Sequence, residues 1–210
     1  MADTRSDTSA EVRTALIAAT AKRLAEGGPD HVSVRRVAAD IGTSTMAVYT
    51  HFGSKAELLR AVTVEGFRHL AARLAEATPT DDPVADIHSA LAAYRRAALD
   101  DPHLFQVMFG ARVEDVLTGA GEREEALATF INLVDLVQRT IDAGRFSPTA
   151  ADMLALELWS GVHGLCCIEM GAGLARPEQA PAALASMVRR MAVGAGDDPA
   201  LAAASIPGPI

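Results

Sequence analysis

Aromatic residues make up only 4% of this 210-residue chain, and it holds two cysteines and one tryptophan. A β-sandwich or barrel draws on Val, Ile, Thr and aromatic side chains to cover its pleated faces. Alanine stands in their place, 42 residues or 20% of the chain, which favours helices with small side chains. The two cysteines, Cys166 and Cys167, are adjacent and cannot build a long-range disulfide framework, so a reducing, cytoplasmic setting is expected. Residues 1–12 carry Asp3, Arg5, Asp7 and Glu11 with no apolar core, so no secretory signal is expected. Crossing a bilayer takes roughly 20 uninterrupted apolar residues. The most apolar stretch, 154–175, is broken by Glu157, His163 and Glu169, so no membrane partner is expected. A Walker-type phosphate loop, a His-Glu-x-x-His pair and a Gly-x-Ser-x-Gly elbow are also missing. The chain is therefore not expected to be an enzyme, and neither a cofactor nor a metal is expected.

What is present is unevenly distributed. The net charge is −8, yet residues 1–60 hold eight Lys and Arg against seven Asp and Glu, a net of +1. The remaining 150 residues carry 11 basic against 20 acidic side chains, a net of −9. Distribution matters more than the sum when nucleic acid is the partner, and this split suggests two functions in one chain.

No stretch alternates with period two, and the Gly and Pro punctuation falls at helical lengths, so the fold class is all-α. A first helix opens at Thr8, with Glu11 completing a capping box, and stops at Gly27-Gly28-Pro29. Ser33 caps a short helix with Val34, Val37, Ala38 and Ile41 on one face, ended by Gly42. A second short helix, 46–52, shares Val48 and Phe52 on a face and is broken by Gly53. Ser54 and Glu57 form another capping box, opening a long helix to about residue 77. Further helices are expected over 84–100, 122–143, 149–171 and 181–193, with a short apolar piece at 104–109 and Ser147-Pro148 starting the helix at 149. A domain of residues 8–56, a second of 57–196 and a disordered tail over 197–210 are the expected divisions.

Two short helices joined by a tight turn and preceded by a longer one have the geometry of a helix-turn-helix. Residues 33–41 would brace, and 45–52 would read the major groove. Val37, Ala38, Ile41, Val48 and Phe52 can close a small core with Leu16, Ile17 and Leu24, which leaves Arg35, Arg36, Thr45, Met46, Tyr49 and Thr50 outward.

The run Ser33-Val-Arg-Arg-Val-Ala-Ala-Asp-Ile-Gly-Thr-Ser-Thr-Met-Ala-Val-Tyr-Thr-His-Phe-Gly-Ser-Lys-Ala-Glu-Leu-Leu resembles the DNA-binding domain of the tetracycline-repressor (TetR) family. The likeness spans about residues 12–62. Trp159, His163 and Gly164 fit the Trp-x-x-x-His-Gly motif of one branch of that family, as does Asp101-Pro-His-Leu-Phe-Gln-Val-Met-Phe109. The resemblance implies an all-helical homodimer that represses transcription from a double-stranded, inverted-repeat operator until a small-molecule effector binds its C-terminal domain.

Carried over residue by residue, Ser33 would cap its helix and donate to a phosphate. Arg35 or Arg36 would reach phosphate or a base edge. Ser44, Thr45 and Met46 would lead the reading helix, with Met46 able to touch a thymine methyl. Tyr49 and His51 resemble a phosphate-contacting pair, His51 having neighbour packing as its alternative, and Lys55 adds a cation at the next helix start. Where relatives often place Lys, Arg or Gly, this chain has Thr43, Thr45 and Met46.

The helix at 149–171 is apolar nearly all round, which predicts burial on two sides and, with 181–193, a dimer seam. Tyr94, Phe105, Met108, Phe109, Phe130 and Val134 are candidates for lining an effector cavity. Trp159 and His163 either orient that ligand or sit satisfied in the interior. Cys166 and Cys167 are read as packing residues ahead of a redox pair, and His163 with Cys167 falls short of the four ligands of structural zinc. The different-class alternative is a helical ligand-binding or assembly protein with little specific DNA binding.

Overall fold

The structure, a computed structural model, describes residues 3–76, 78–109, 119–171 and 178–207. Among them are ten α-helices and no strand. In chain order these are α1 (Asp3–Gly27), α2 (Val34–Asp40), α3 (Thr45–Phe52), α4 (Lys55–Ala75), α5 (Pro83–Asp100), α6 (Pro102–Phe109), α7 (Ala120–Asp142), α8 (Ala151–Met170), α9 (Ala180–Gly194) and α10 (Pro199–Ser205). A single 3₁₀ turn, Pro29–His31, separates α1 from α2.

The chain divides into two compact units, Met1–Arg68 with Asp101–Glu125, and His69–Asp100 with Ala126–Ile210. This does not follow the expected division at residue 57. The physical reason is α6, which packs on α1 and adds Leu104 and Val107 to the core of Leu16, Leu24, Val37, Val48, Leu58 and Val62. Phe67 of α4 meets Phe109 edge-on at 5.3 Å, so the first part of α4 belongs with that core.

In the second unit α8 packs against α5 and α9, and α10 against both of those partners. Leu154, Leu158, Val162 and Cys166, spaced by four, form the buried stripe of α8. Of the described helices α8 alone has the length and hydropathy of a membrane span, and 28% of that stretch, this stripe included, is buried in the unit.

Three helix boundaries differ from expectation. Helix α1 begins at Asp3, since residues 3–7 contain neither Gly nor Pro to stop it, and the Thr8–Glu11 pattern lies within the helix. Helix α8 begins at Ala151 behind an Ala150 cap that makes no side-chain bond. Ser147, the expected cap, is held elsewhere, its backbone N–H donating to Ala195 O at 2.8 Å.

The third difference is the tail, expected to be disordered. Asp198 caps α10 by accepting from the N–H of Ala200 and Leu201, with Pro199 in the first turn, and Ala202 and Ile206 are wholly buried. The segment is tied down by charge as well. Arg145 donates to both oxygens of Asp197, at 2.6 and 2.8 Å, and to Ser205 Oγ at 3.0 Å. Asp197 is only 1% exposed at its side chain, so the ion pair is desolvated, and removing one partner strands the other.

Arg145→Ala is therefore expected to lower the unfolding free energy by about 3–5 kcal/mol. Arg73→Ala breaks a pair with Asp100 that is 48% and 60% exposed and should cost under about 1 kcal/mol. Urea denaturation of the two variants checks the contrast.

Candidate nucleic-acid interface and ligand cavity

Helix α3 is eight residues long and too short to persist alone. Its stability comes from the ends and from one face. Ser44 Oγ accepts from the Ala47 N–H at 3.2 Å, and Gly53, with φ of 72°, caps the far end in a conformation open to glycine. Val48 is wholly buried and Phe52 nearly so. With 3.6 residues per turn, Thr45, Met46, Tyr49 and Thr50 share the opposite arc. Met46 is 70% and Tyr49 50% exposed, and Thr45 and Thr50 are exposed beside them.

Helix α2 braces this arrangement. Ser33 Oγ accepts from the Arg36 N–H at 3.3 Å, and Arg35 and Arg36 are both exposed. Gly42, at φ 68°, makes the turn into α3, and Thr43 N–H closes it onto Ala38 O at 2.9 Å. From the rear, Arg23 of α1 forks onto Asp40 at 2.5 and 2.6 Å. The hydrogen bonds from that guanidinium hold the Asp40 carboxyl below its usual range. Ser54 Oγ accepts from the Glu57 N–H at 3.1 Å at the start of α4, with Lys55 exposed in its first position.

Ser33, Arg35, Arg36, Ser44, Thr45, Met46, Tyr49 and Lys55 are thus gathered on α2, α3 and the first turn of α4. His51 is placed differently. It is half-buried, tilted against Phe52 at a centroid distance of 6.3 Å, and lines a polar cleft with Arg13, Glu57, Arg60 and Arg68. Sequence reasoning missed Arg13, whose guanidinium lies over the Phe52 ring at 5.3 Å. Nothing local signals a pair separated by 39 positions.

The second unit holds a cavity of about 50 Å³ between α5, α7 and α8, walled by Tyr94, Phe130 and Trp159, with Thr129 and Asn132 as its polar lining and aliphatic side chains around them. The Trp159 indole N–H donates to the Tyr94 hydroxyl at 3.1 Å, and that hydroxyl is hydrogen-bonded to His163 Nδ1 at 2.9 Å. Burial holds the Tyr94 phenol protonated far above its ordinary range and lowers the His163 imidazole, so both are neutral at pH 7.

Of the residues expected to line a cavity, Tyr94, Phe130 and Trp159 do so and His163 stands behind Tyr94. Val134 is absent from the lining, and Phe105, Met108 and Phe109 belong to the first unit, where Phe105 and Phe109 pack at 4.8 Å. Helical spacing alone does not separate a side chain facing a void from one facing the core beside it. Cys166 is wholly buried, and desolvation pushes its thiol up to about 12, so it acts as a packing residue; Cys167 is exposed. Among the described residues no three His, Cys, Asp or Glu side chains gather as for a metal ion.

Comparison with curated proteins gives no match. The fold has relatives among solved structures. A Rhodococcus sp. RHA1 protein of unknown function superposes with a TM-score of 0.80 at 24% identity, over 88% of this chain and 95% of its own. A transcriptional regulator from the same organism gives 0.71 at 26% identity, over 89% and 99%. RolR, solved in complex with its ligand resorcinol, gives 0.65 at 17% identity, over 98% and 97%. Residues 16–62 match the family profile described as bacterial regulatory proteins, tetR family, and residues 87–191, half of the chain, match the tetracyclin repressor-like C-terminal domain. The exposed face of α3 therefore sits inside the first matched region and the cavity inside the matched C-terminal domain: the chain belongs to the TetR family and is a DNA-binding regulator of transcription.

Proposed function

We propose that this regulator binds an inverted-repeat operator as a homodimer and releases it when a small molecule enters the second unit. The observation that carries the DNA half of this reading is the outward face of α3. Thr45, Met46, Tyr49 and Thr50 are exposed there while Val48 and Phe52 are fixed in the core. The flanking groups suit the backbone of a duplex. Ser33 and Lys55 stand at helix N-termini, where free N–H groups favour phosphate oxygens, and Arg35 and Arg36 lie in the first turn of α2. Thr45 and Met46 lead the reading helix, where Thr bonds base edges and Met meets a thymine methyl.

The homodimer is supported by the exposed side of α8. Opposite its buried stripe, Met153, Leu156, Ser160, Gly164 and Cys167 form a row of apolar and small residues, with Met153 55% and Leu156 41% exposed. A row of this kind suits close approach of a second copy, with nearby Val193 of α9, 39% exposed, as a further apolar contact. Two reading helices related by a two-fold axis would then meet half-sites about 34 Å apart, or a multiple of that spacing.

For release, the ligand must prefer a conformation whose reading helices no longer match the operator, because equal affinity for both forms shifts nothing. Helix α4 supplies a covalent route, since its residues to Arg68 belong to the first unit and those from His69 to the second. No cofactor is proposed, and the setting is taken to be the cytoplasm.

Footprinting on the DNA flanking the protein's own gene is the primary test, and a protected site without inverted symmetry would refute the reading. Lys55→Ala and Tyr49→Phe are expected to weaken binding to all operator variants alike, the lysine change reducing the salt slope by about one unit. Thr45→Ala should instead relax preference at one base pair, by roughly 1–3 kcal/mol of discrimination. Leu156→Glu, with a charge at the centre of the proposed seam, should give a monomer by light scattering and lose high-affinity operator binding while its helicity is unchanged.

A further inference from the structure

We propose that the cavity of the second unit takes a small, uncharged aromatic molecule bearing a hydroxyl group, of the class of simple phenols. This rests on the reading above that a ligand enters this unit. The lining contains no Asp, Glu, Lys, Arg or His. An ionised carboxylate, phosphate or ammonium would therefore be buried there without a counter-charge, a cost far larger than hydrogen bonds from neutral groups return. Buried charges elsewhere in the unit are committed to each other: Arg95 forks onto Glu169 at 2.6 Å for both bonds, with the side chains only 13% and 4% exposed, and Arg139 pairs with Asp86.

The walls select for a ring. Phe130 and Trp159 are inclined at 53° with centroids 5.9 Å apart, and Tyr94 adds a third aromatic wall. Inclined aromatic surfaces of this kind favour edge-to-face and offset contacts with another ring. Asn132, exposed and able both to donate and to accept, does not discriminate, but Thr129 favours a donor. The Thr129 hydroxyl gives its proton to Ala126 O at 3.0 Å, which leaves its oxygen as an acceptor for a ligand O–H. The Tyr94 hydroxyl, fixed between Trp159 Nε1 and His163 Nδ1, is a second neutral polar group at the wall.

Size makes the same molecule a switch. A benzene-sized guest is known to occupy a cavity of about 150 Å³, and this one measures about 50 Å³. A ring can enter only by moving the walls, of which Leu74, Thr129, Phe130, Leu136 and Trp159 are half-exposed. A ligand that must open the cavity has higher affinity for the opened conformation, which is the differential affinity that release requires.

Trp159 is the only tryptophan in the chain, so its fluorescence reports this cavity directly. Phenol, toluene and benzoate, three single-ring probes differing in one group, are titrated into the full-length protein, with excitation where only tryptophan absorbs. Phenol should perturb the emission saturably and raise the melting temperature. Toluene should bind roughly five- to tenfold more weakly for want of a hydrogen bond, and benzoate at least about a hundredfold more weakly. In Thr129→Val the preference for phenol over toluene should shrink to less than about threefold, with toluene binding unchanged. Benzoate or toluene binding as tightly as phenol, or no saturable response to any of the three, would overturn the assignment. Operator release is measured in parallel. Phenol that binds at Trp159 yet leaves the operator complex intact upholds the ligand class and refutes the ligand-release reading. Release by a charged compound that leaves Trp159 emission untouched does the reverse.

Discussion

Burial of Val48 and Phe52 is the constraint on which the exposed face of α3 depends. Helix α3 spans eight residues, and isolated helices of that length do not hold together in water. Anchoring those two side chains against Leu16, Leu24 and Val37 sets both the position of the helix and its rotation about its own axis. With the rotation set, Thr45, Met46, Tyr49 and Thr50 have only solvent, or a partner, to face. The Ser44 and Gly53 caps satisfy the backbone ends, and the Arg23–Asp40 fork ties α2 to α1 from the far side.

The uneven charge of the chain acquires a structural meaning in the second unit. Three of its buried carboxylates are each met by an arginine. Asp86 pairs with Arg139, Asp197 with Arg145 and Glu169 with Arg95. Each of these carboxylates is largely withdrawn from water, and pairing is what makes that withdrawal tolerable. The same arrangement leaves the cavity beside Tyr94 and Trp159 uncharged. The first unit uses charge differently, since Arg35, Arg36 and Lys55 are exposed on the elements flanking α3.

The two units also differ in what holds their helices. In the first, α6 packs on α1, and the buried hydroxyls of Thr20 and Thr63 donate within their own helices, to the carbonyls of Leu16 and Leu59. In the second, hydrogen bonds reach through the interior: Trp159 to Tyr94, Tyr94 to His163, and Arg189 to the Ile206 carbonyl at 3.4 Å. Polar networks of this kind have preferred arrangements, and the Trp159–Tyr94–His163 chain of bonds ends at the cavity wall.

The sequence by itself determined the helical class, the two short helices with Ser33 and Ser44 at their starts, and the outward set from Thr45 to Thr50. These depend on spacing and capping within a few residues, which the order of amino acids contains. It also held the Asp198-Pro199 start of α10, although the Ala- and Gly-rich composition around it suggested disorder. Only the tertiary structure decided that Ile206 closes the core, that Arg145 reaches Asp197 and Ser205, that Arg13 covers Phe52, and that His51 lines a polar cleft. It likewise divided the candidate cavity residues, keeping Tyr94, Phe130 and Trp159 and assigning Phe105, Met108 and Phe109 to the first unit. Contacts across dozens of residues depend on how helices pack, and helical periodicity says which side of a helix is apolar without saying which neighbour it will meet.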